Sequence, residues 1–101
     1  MIIYNVTVKV ETSIANSWLE WLKEEHIPEI LATGCFHDAS VLQLMEPVDE
    51  EGVTYAIQYK AHSESDYQHY IREHAGIMRQ KGLDQWGNRF IAFRSVMKVI
   101  H

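Results

Sequence analysis

The sequence predicts an α+β fold with the element order β-α-β-β-α-β. Two segments, residues 4–10 and 53–60, alternate between apolar and polar residues as half-buried strands do. Each is followed, after a Ser or Thr, by apolar residues at helical spacing: Ile14, Trp18 and Leu22 in the first half, Ile71, Ala75 and Met78 in the second. Each helical stretch then leads into a further extended apolar run. At 101 residues the chain has the length of one domain, residues 1–101, and not of two.

In the first strand Tyr4, Val6, Val8 and Val10 share one side, and Asn5, Thr7 and Lys9 the other. Thr12 or Ser13 is expected to cap a helix with a broad apolar stripe of Ile14, Trp18, Leu19, Trp21 and Leu22. Pro28 has no N–H to donate to the residue four back. The helix should therefore kink or break near His26 and Ile27, then resume as a short turn with Pro28 at its start. Gly34 ends it. Residues 36–45 read as the second strand, and Pro47 with the acidic residues through Gly52 as a hairpin connection. In the third strand Val53, Tyr55, Ile57 and Tyr59 alternate with Thr54, Gln58 and Lys60. Ser63 or Ser65 caps the second helix, whose inner stripe of Ile71, Ala75 and Met78 has Tyr67 alongside. Residues 83–88, with Trp86 and the turn signal Gly87-Asn88, read as a loop, and residues 90–100 as a long apolar last strand.

This order is the split-βαβ, or ferredoxin-like, arrangement, an antiparallel sheet with both helices on one face. Right-handed crossovers fix the strand order as 4-1-3-2. The helices are expected to cover Tyr4, Val6, Val8, Tyr55, Ile57, Tyr59, Phe93 and Met97. The opposite face then carries Ile3, Asn5, Thr7, Ala56, Gln58, Lys60, Phe90, Ala92, Arg94 and Val96. That face is too apolar for a solvated surface and too polar for a dry core. Packing two such faces together hides the apolar groups and lets the polar ones pair, and symmetric homodimers are the commonest way to do so. The sequence thus predicts a homodimeric α+β barrel with its helices outside.

Composition excludes several classes. The chain is 47% hydrophobic and 23% charged, which describes a globular protein. No apolar run approaches the ~18 residues of a membrane span, and no leader pattern opens the chain. The net charge is −5 with no basic cluster, so nucleic acid is not an expected partner. The single cysteine, Cys35, leaves no intramolecular disulfide and points to the cytoplasm. Residues 1–51 carry a net −8 and the remainder a net +3. The acidic stretch Glu46, Asp49, Glu50, Glu51 reads as a solvated loop, with the two halves attracting each other in the fold or across a dimer.

His26 lies between Glu25 and Glu29 where Pro28 interrupts the helix. A carboxylate-supported imidazole there is a candidate general base; the alternative is a surface His that caps the broken turn. His74 shares a helix side with Tyr67 and Tyr70 and can line a pocket between helix and sheet, to which Tyr55 and Tyr59 would contribute. An enclosed pocket touching His74, Tyr55 or Tyr59 points to an enzyme; an interface filled by Trp18, Leu22 and Met78 counts against one. Asn5, Thr7, Gln58, Lys60 and Arg94 can converge inside the barrel as an anion or carboxylate pocket. The same residues can instead form hydrogen bonds between subunits, with Arg94 paired to an acid of the partner.

The six histidines include no HxxxH or HxH pair, and His69 and His74 would stand about 140° apart on a regular helix. Neither a metal nor a cofactor is expected. Cys35 has no His or second Cys nearby in the sequence and reads as a small buried residue rather than a nucleophile. Trp18, Trp21 and Trp86 read as core and interface anchors. No glycine-rich phosphate loop, dinucleotide fingerprint or nucleophile elbow is present.

The opening IIYNVTVKV, the segment HIPEILATGCF, the strand GVTYAIQY and the ending FIAFRSVMKVI together resemble an uncharacterised bacterial family known only as a domain of unknown function. More broadly the chain is similar to the dimeric α+β barrel superfamily, which includes antibiotic-biosynthesis-type monooxygenases, haem-degrading monooxygenases and muconolactone-isomerase-like proteins. The resemblance implies the fold and the dimer but no reaction. In haem-degrading members a first-strand Asn, a third-strand Trp and a second-helix His serve the cofactor; here Asn5, Tyr59 and His74 stand at comparable places. Tyr59 replaces the Trp, and the alternation sets Asn5 and Tyr59 on opposite sheet faces, which argues against haem. The expected function is that of a homodimeric barrel binding a small molecule or a partner. The alternative is a cofactor-free monooxygenase- or isomerase-like enzyme with its pocket between sheet and helices.

Overall fold

Strands β1 (Ile2–Glu11), β2 (Asp38–Gln43), β3 (Gly52–Ala61) and β4 (Phe90–Lys98) form one antiparallel sheet in the order β2-β3-β1-β4. This is the expected 4-1-3-2 read from the other edge. The structure is a computed structural model that describes residues 1–101. Helices α1 (Ala15–Trp21) and α2 (Ile27–Ala32) follow β1, and α3 (Glu64–Glu73) and α4 (Ala75–Trp86) follow β3. All four lay apolar residues into one core with the Tyr4/Val8/Val10 side of β1. The fold is ferredoxin-like.

Tyr4 is the hub of that core. Its ring centroid lies 5.9 Å from that of Phe36, 6.0 Å from Tyr59, 5.6 Å from Tyr67 and 5.7 Å from Tyr70. Each such pair contributes about 0.5–1.5 kcal/mol beyond the area it buries. Trp18 stacks on Tyr55 at 5.5 Å and closes the other end.

Between α1 and α2 the chain stays helical instead of breaking. Leu22–His26 widen into a π-type turn, in which the Ile27 N–H donates to the Leu22 carbonyl. The extra residue brings Pro28 into the opening turn of α2, where its missing N–H breaks no interior bond. Neither Thr12 nor Ser13 caps the first helical run; a 3-10 turn, Thr12–Ile14, leads into it, and Ser13 accepts a hydrogen bond from Arg89 at 3.0 Å. Ser63 does cap α3, accepting from the Asp66 N–H at 3.1 Å.

Three further expectations are corrected. The loop expected at residues 83–88 is mostly helix, because α4 runs to Trp86 and Gly87, at φ 61°, supplies the left-handed stop. Strand β2 is shorter than expected, because Phe36 turns into the core. The two faces of β4 are exchanged. Val6 pairs with Arg94, Val8 with Ala92 and Val10 with Phe90, so Phe90, Ala92, Arg94 and Val96 face the helices. Phe93 and Met97 lie on the open face beside Thr7 and Ile3. This strand is apolar on both sides, so its own alternation does not choose a face, and a shift of one residue inverts it.

The open face is therefore more apolar than expected. Ile91, Phe93, Met97 and Leu42 are exposed on it, Phe93 at 67%. Across its middle, Gln58 Nε2 donates to Asn5 Oδ1 at 3.4 Å, and Asn5 Nδ2 donates to Thr7 Oγ1 at 3.0 Å. The oppositely charged halves of the sequence meet through Lys60–Asp38, Lys81–Glu29 and Arg89–Glu11, and the acidic hairpin folds onto Lys9 through Asp49. No helix is long and apolar enough to cross a membrane.

Candidate functional site

Between the sheet and the helices lies a cavity of about 60 Å³. Its floor is the helix-facing side of β1, β3 and β4, with Tyr4, Val6, Ile57, Tyr59 and Ala92. Its roof is Trp18, Trp21 and Leu22 from the first helical run and Tyr70, Met78 and Gly82 from the second. Three polar side chains interrupt this apolar lining: His26, Arg79 and Arg94.

His26 closes the π-type turn, and its ring stacks on Trp21 with centroids 4.5 Å apart. Its Nδ1 is buried and has no hydrogen-bond partner, an arrangement few buried polar atoms adopt. Burial lowers its pKa to about 4; Glu29 opposes the shift, while Lys81 and Arg94 add to it. The imidazole is therefore neutral at pH 7. Trp21 and His26 also line a surface cleft with Glu25, Glu29, Lys81, Asp84 and Gln85, so the stacked pair separates the cavity from that cleft.

Arg79 and Arg94 both line the cavity and are exposed residues overall. Arg79 Nη2 donates to the Tyr4 hydroxyl at 3.3 Å. All of the chain's ion pairs are made by Lys9, Lys60, Lys81 and Arg89, so neither cavity guanidinium is neutralised by a carboxylate. Burial raises the pKa of the Tyr59 and Tyr70 phenols, with neighbouring tyrosines adding to the effect. Both phenols stay protonated and can donate hydrogen bonds, but they are not bases.

The cavity thus brings together His26, Tyr59 and Arg94 from the sequence-based candidates. Arg94 reaches it from the helix-facing side, not from the barrel interior where it was expected. Tyr55 packs on Trp18 in the core, outside the cavity lining. Asn5 and Gln58 bond to each other on the open face. Trp18, Leu22 and Met78 line the cavity without filling it. Arg79 and Gly82 were missed. The signal for Arg79 was its position four residues after Ala75 and next to Met78 on the inner stripe.

His74 stands elsewhere. The second helix bends at this residue, which has φ −127° and separates α3 from α4. The bend brings its ring centroid to 5.6 Å from that of His69, so the separation expected for an unbroken helix does not hold. Cys35 lies beside them, and the ligand atoms of Cys35, His69 and His74 are all within 4.8 Å of one another.

Residues 1–100 match the family described as a domain of unknown function, DUF4286. The chain belongs to this family. Among solved structures, the DUF4286 chain is similar to a dimeric ferredoxin-like protein from an uncultured marine organism, with TM-score 0.75 and 11% identity over 99% of this chain and 95% of that one. It is similar to an ethyl tert-butyl ether d family protein from Bacillus halodurans, with TM-score 0.67 and 11% identity over 99% of this chain and 100% of that one. It is also similar to SnoaB, a cofactor-independent oxygenase from Streptomyces nogalater, with TM-score 0.60 and 8% identity over 99% of this chain and 94% of that one. At these identities the likeness concerns the fold. No curated protein is similar to the chain in sequence. The haem pattern does not assemble in this DUF4286 chain: Asn5 is on the open face, Tyr59 faces the helices, and His74 sits with Cys35 and His69.

Proposed function

We propose that this DUF4286 protein is a cytoplasmic homodimer, joined through its open sheet faces, that binds a small unsaturated organic acid between sheet and helices. The observation that carries the binding reading is the pair of guanidiniums, Arg79 and Arg94, at an aromatic-walled cavity with no carboxylate to neutralise them. A carboxylate between them gains charge-assisted hydrogen bonds, while its tail enters the apolar interior. At about 60 Å³ the cavity is well below the ~150 Å³ that takes benzene, so the tail is limited to a few heavy atoms while Trp21 and His26 stay in place. The dimer reading rests on the exposed Ile91, Phe93 and Met97 beside the Asn5–Gln58 pair, and on the dimeric ferredoxin-like protein of the same fold.

Crotonate is a suitable probe. Calorimetric titration is expected to show one crotonate per chain, binding weakened at least about tenfold by Arg94→Ala, and none of the neutral crotonamide. Equal binding of acid and amide, or an unaffected Arg94→Ala, rules the reading out.

A second, enzymatic reading is favoured by the partnerless Nδ1 of a neutral imidazole at the same cavity. His26 can take a proton from a carbon next to the conjugated system, leaving an enolate that Arg94 stabilises, and return that proton at another carbon. The net change is a shifted double bond, as in an isomerase; in a cofactor-free oxygenase the same carbanion would reduce dioxygen. A folded-state pKa of about 4, set mainly by burial, makes His26 a weak base, and a bound anion that offsets Arg94 relieves only the smallest of the contributions. Deuterium incorporation into crotonate in D2O, lost in His26→Gln, is the expected result; no incorporation above the uncatalysed rate leaves a binding protein.

A further inference from the structure

We propose that Cys35, His69 and His74 form a zinc site with three protein ligands and an open fourth position, outside the anion cavity. The thiol sulfur and two imidazole nitrogens lie within 4.8 Å of one another. Tetrahedral zinc, with Zn–N of about 2.0–2.1 Å and Zn–S of about 2.3 Å, places such donors roughly 3.3–3.6 Å apart. The cluster needs about 1 Å of closure to reach that geometry. His69 is exposed, and turning its ring supplies the movement.

The other two ligands are held in place by their surroundings. Cys35 follows Gly34, whose φ of 79° makes the turn after α2. The Cys35 N–H donates to Thr33 Oγ1 at 3.3 Å, and that hydroxyl donates to the Ile30 carbonyl at 2.7 Å. His74 donates its N–H to the Tyr70 carbonyl at 2.9 Å, and its own carbonyl accepts from Met78 at 3.1 Å. The bend between α3 and α4 is what makes the site, because an unbroken helix would set the two rings about 140° apart.

The donor set narrows the metal to a borderline-soft transition ion. One thiolate and two imidazoles suit zinc, whereas magnesium and calcium want oxygen ligands that the cluster does not offer. Cys35 is buried as a thiol whose Sγ–H points to the Thr33 carbonyl at 3.9 Å. Binding replaces the S–H bond with a Zn–S bond and releases the proton to solvent. The metal would fasten the turn after α2 to the α3–α4 joint. The buried Tyr70, stacked on His74 at 6.2 Å, adjoins the joint and lines the anion cavity.

The test uses the full chain without an affinity tag, stripped by chelator and titrated with Co(II) and then Zn(II). Expected are one cobalt per chain, the intense visible bands of tetrahedral cobalt, a thiolate-to-cobalt band in the near ultraviolet, and displacement of all of them by zinc. Cys35→Ser should lose the near-ultraviolet band. His69→Ala, at an exposed position that does not threaten folding, should weaken zinc binding at least about tenfold and carries the test if Cys35→Ser does not fold. A His37→Ala/His62→Ala variant, which removes a stacked histidine pair elsewhere in the chain, should titrate as the wild type does. Absence of cobalt uptake, weak octahedral bands, a thiolate band that survives Cys35→Ser, or unchanged zinc affinity in His69→Ala would overturn the proposal.

Discussion

His26 stacks on Trp21 with ring centroids 4.5 Å apart and planes 20° from parallel, and this pair is the partition between the inner cavity and the cleft outside it. The π-type turn aims the imidazole there. In it the hydrogen bond runs from Ile27 to Leu22, one residue wider than in an α-helix, and the following Pro28 starts α2. A neutral ring whose Nδ1 has no partner can give up its place more readily than one held by hydrogen bonds.

Burial of His26 makes stability depend on pH. The unfolded imidazole titrates near 6.5 and the folded one near 4, so between these values the unfolded chain binds the extra proton. The stability contributed by the neutral ring is full above pH 6.5, falls as the pH drops towards 4 and levels below it. The expected loss is on the order of 3 kcal/mol. Urea unfolding across this range is expected to show the decline in the wild type and a smaller one in His26→Gln. Matching profiles would assign the decline to other groups.

Gly82 is buried in α4 where an added methyl would meet Phe90 at 3.7 Å and Trp21 at 3.9 Å, ordinary packing distances. Alanine is better than glycine inside a helix by about 0.5–1 kcal/mol. Gly82→Ala is expected to raise the melting temperature by a few degrees while narrowing the cavity and weakening crotonate binding. A melting temperature that falls would contradict the packing room at Gly82, and crotonate binding that does not change would place the binding site elsewhere.

Gly52 behaves in the opposite way. It opens β3 opposite Glu11, and an added Cβ would lie 2.7 Å from the Val10 carbonyl oxygen, which belongs to the backbone and cannot swing aside. Gly52→Ala is expected to cost about 1–3 kcal/mol in denaturant unfolding. An unchanged unfolding midpoint would show that the start of β3 moves freely.

Phe93 projects from the open sheet face with 67% of its surface exposed. If that face joins two chains, Phe93→Asp buries a charge at the centre of the interface and separates them. Sedimentation is expected to report about twice 11.8 kDa for the wild type and a single chain for the variant. A wild-type monomer contradicts the dimer.

The order of elements and the sheet topology were legible because they depend on periodicity, which β1 and β3 display without ambiguity. β4 was not legible in the same way. Phe90, Ile91, Ala92 and Phe93 are apolar in succession, and only the pairing of Val6 with Arg94 decides which of them face the helices. That exchange placed Arg94 in the wrong compartment. Cys35, His69 and His74 were hidden for a different reason: their proximity arises from a bend at His74 and a turn at Gly34, neither of which helical spacing reveals. His26 stood out because Pro28 marked its turn, but its burial against Trp21 is a tertiary fact.

The most direct test of the central claim is a crotonate titration of 15N-labelled protein followed by NMR. Binding between sheet and helices predicts saturable shifts of the Gly82 amide, the Trp21 indole N–H and the Arg94 Nε–H, with the Asn5 and Gln58 side-chain amides of the open face unmoved. Shifts confined to Asn5 and Gln58, or no saturable shift at all, would contradict it.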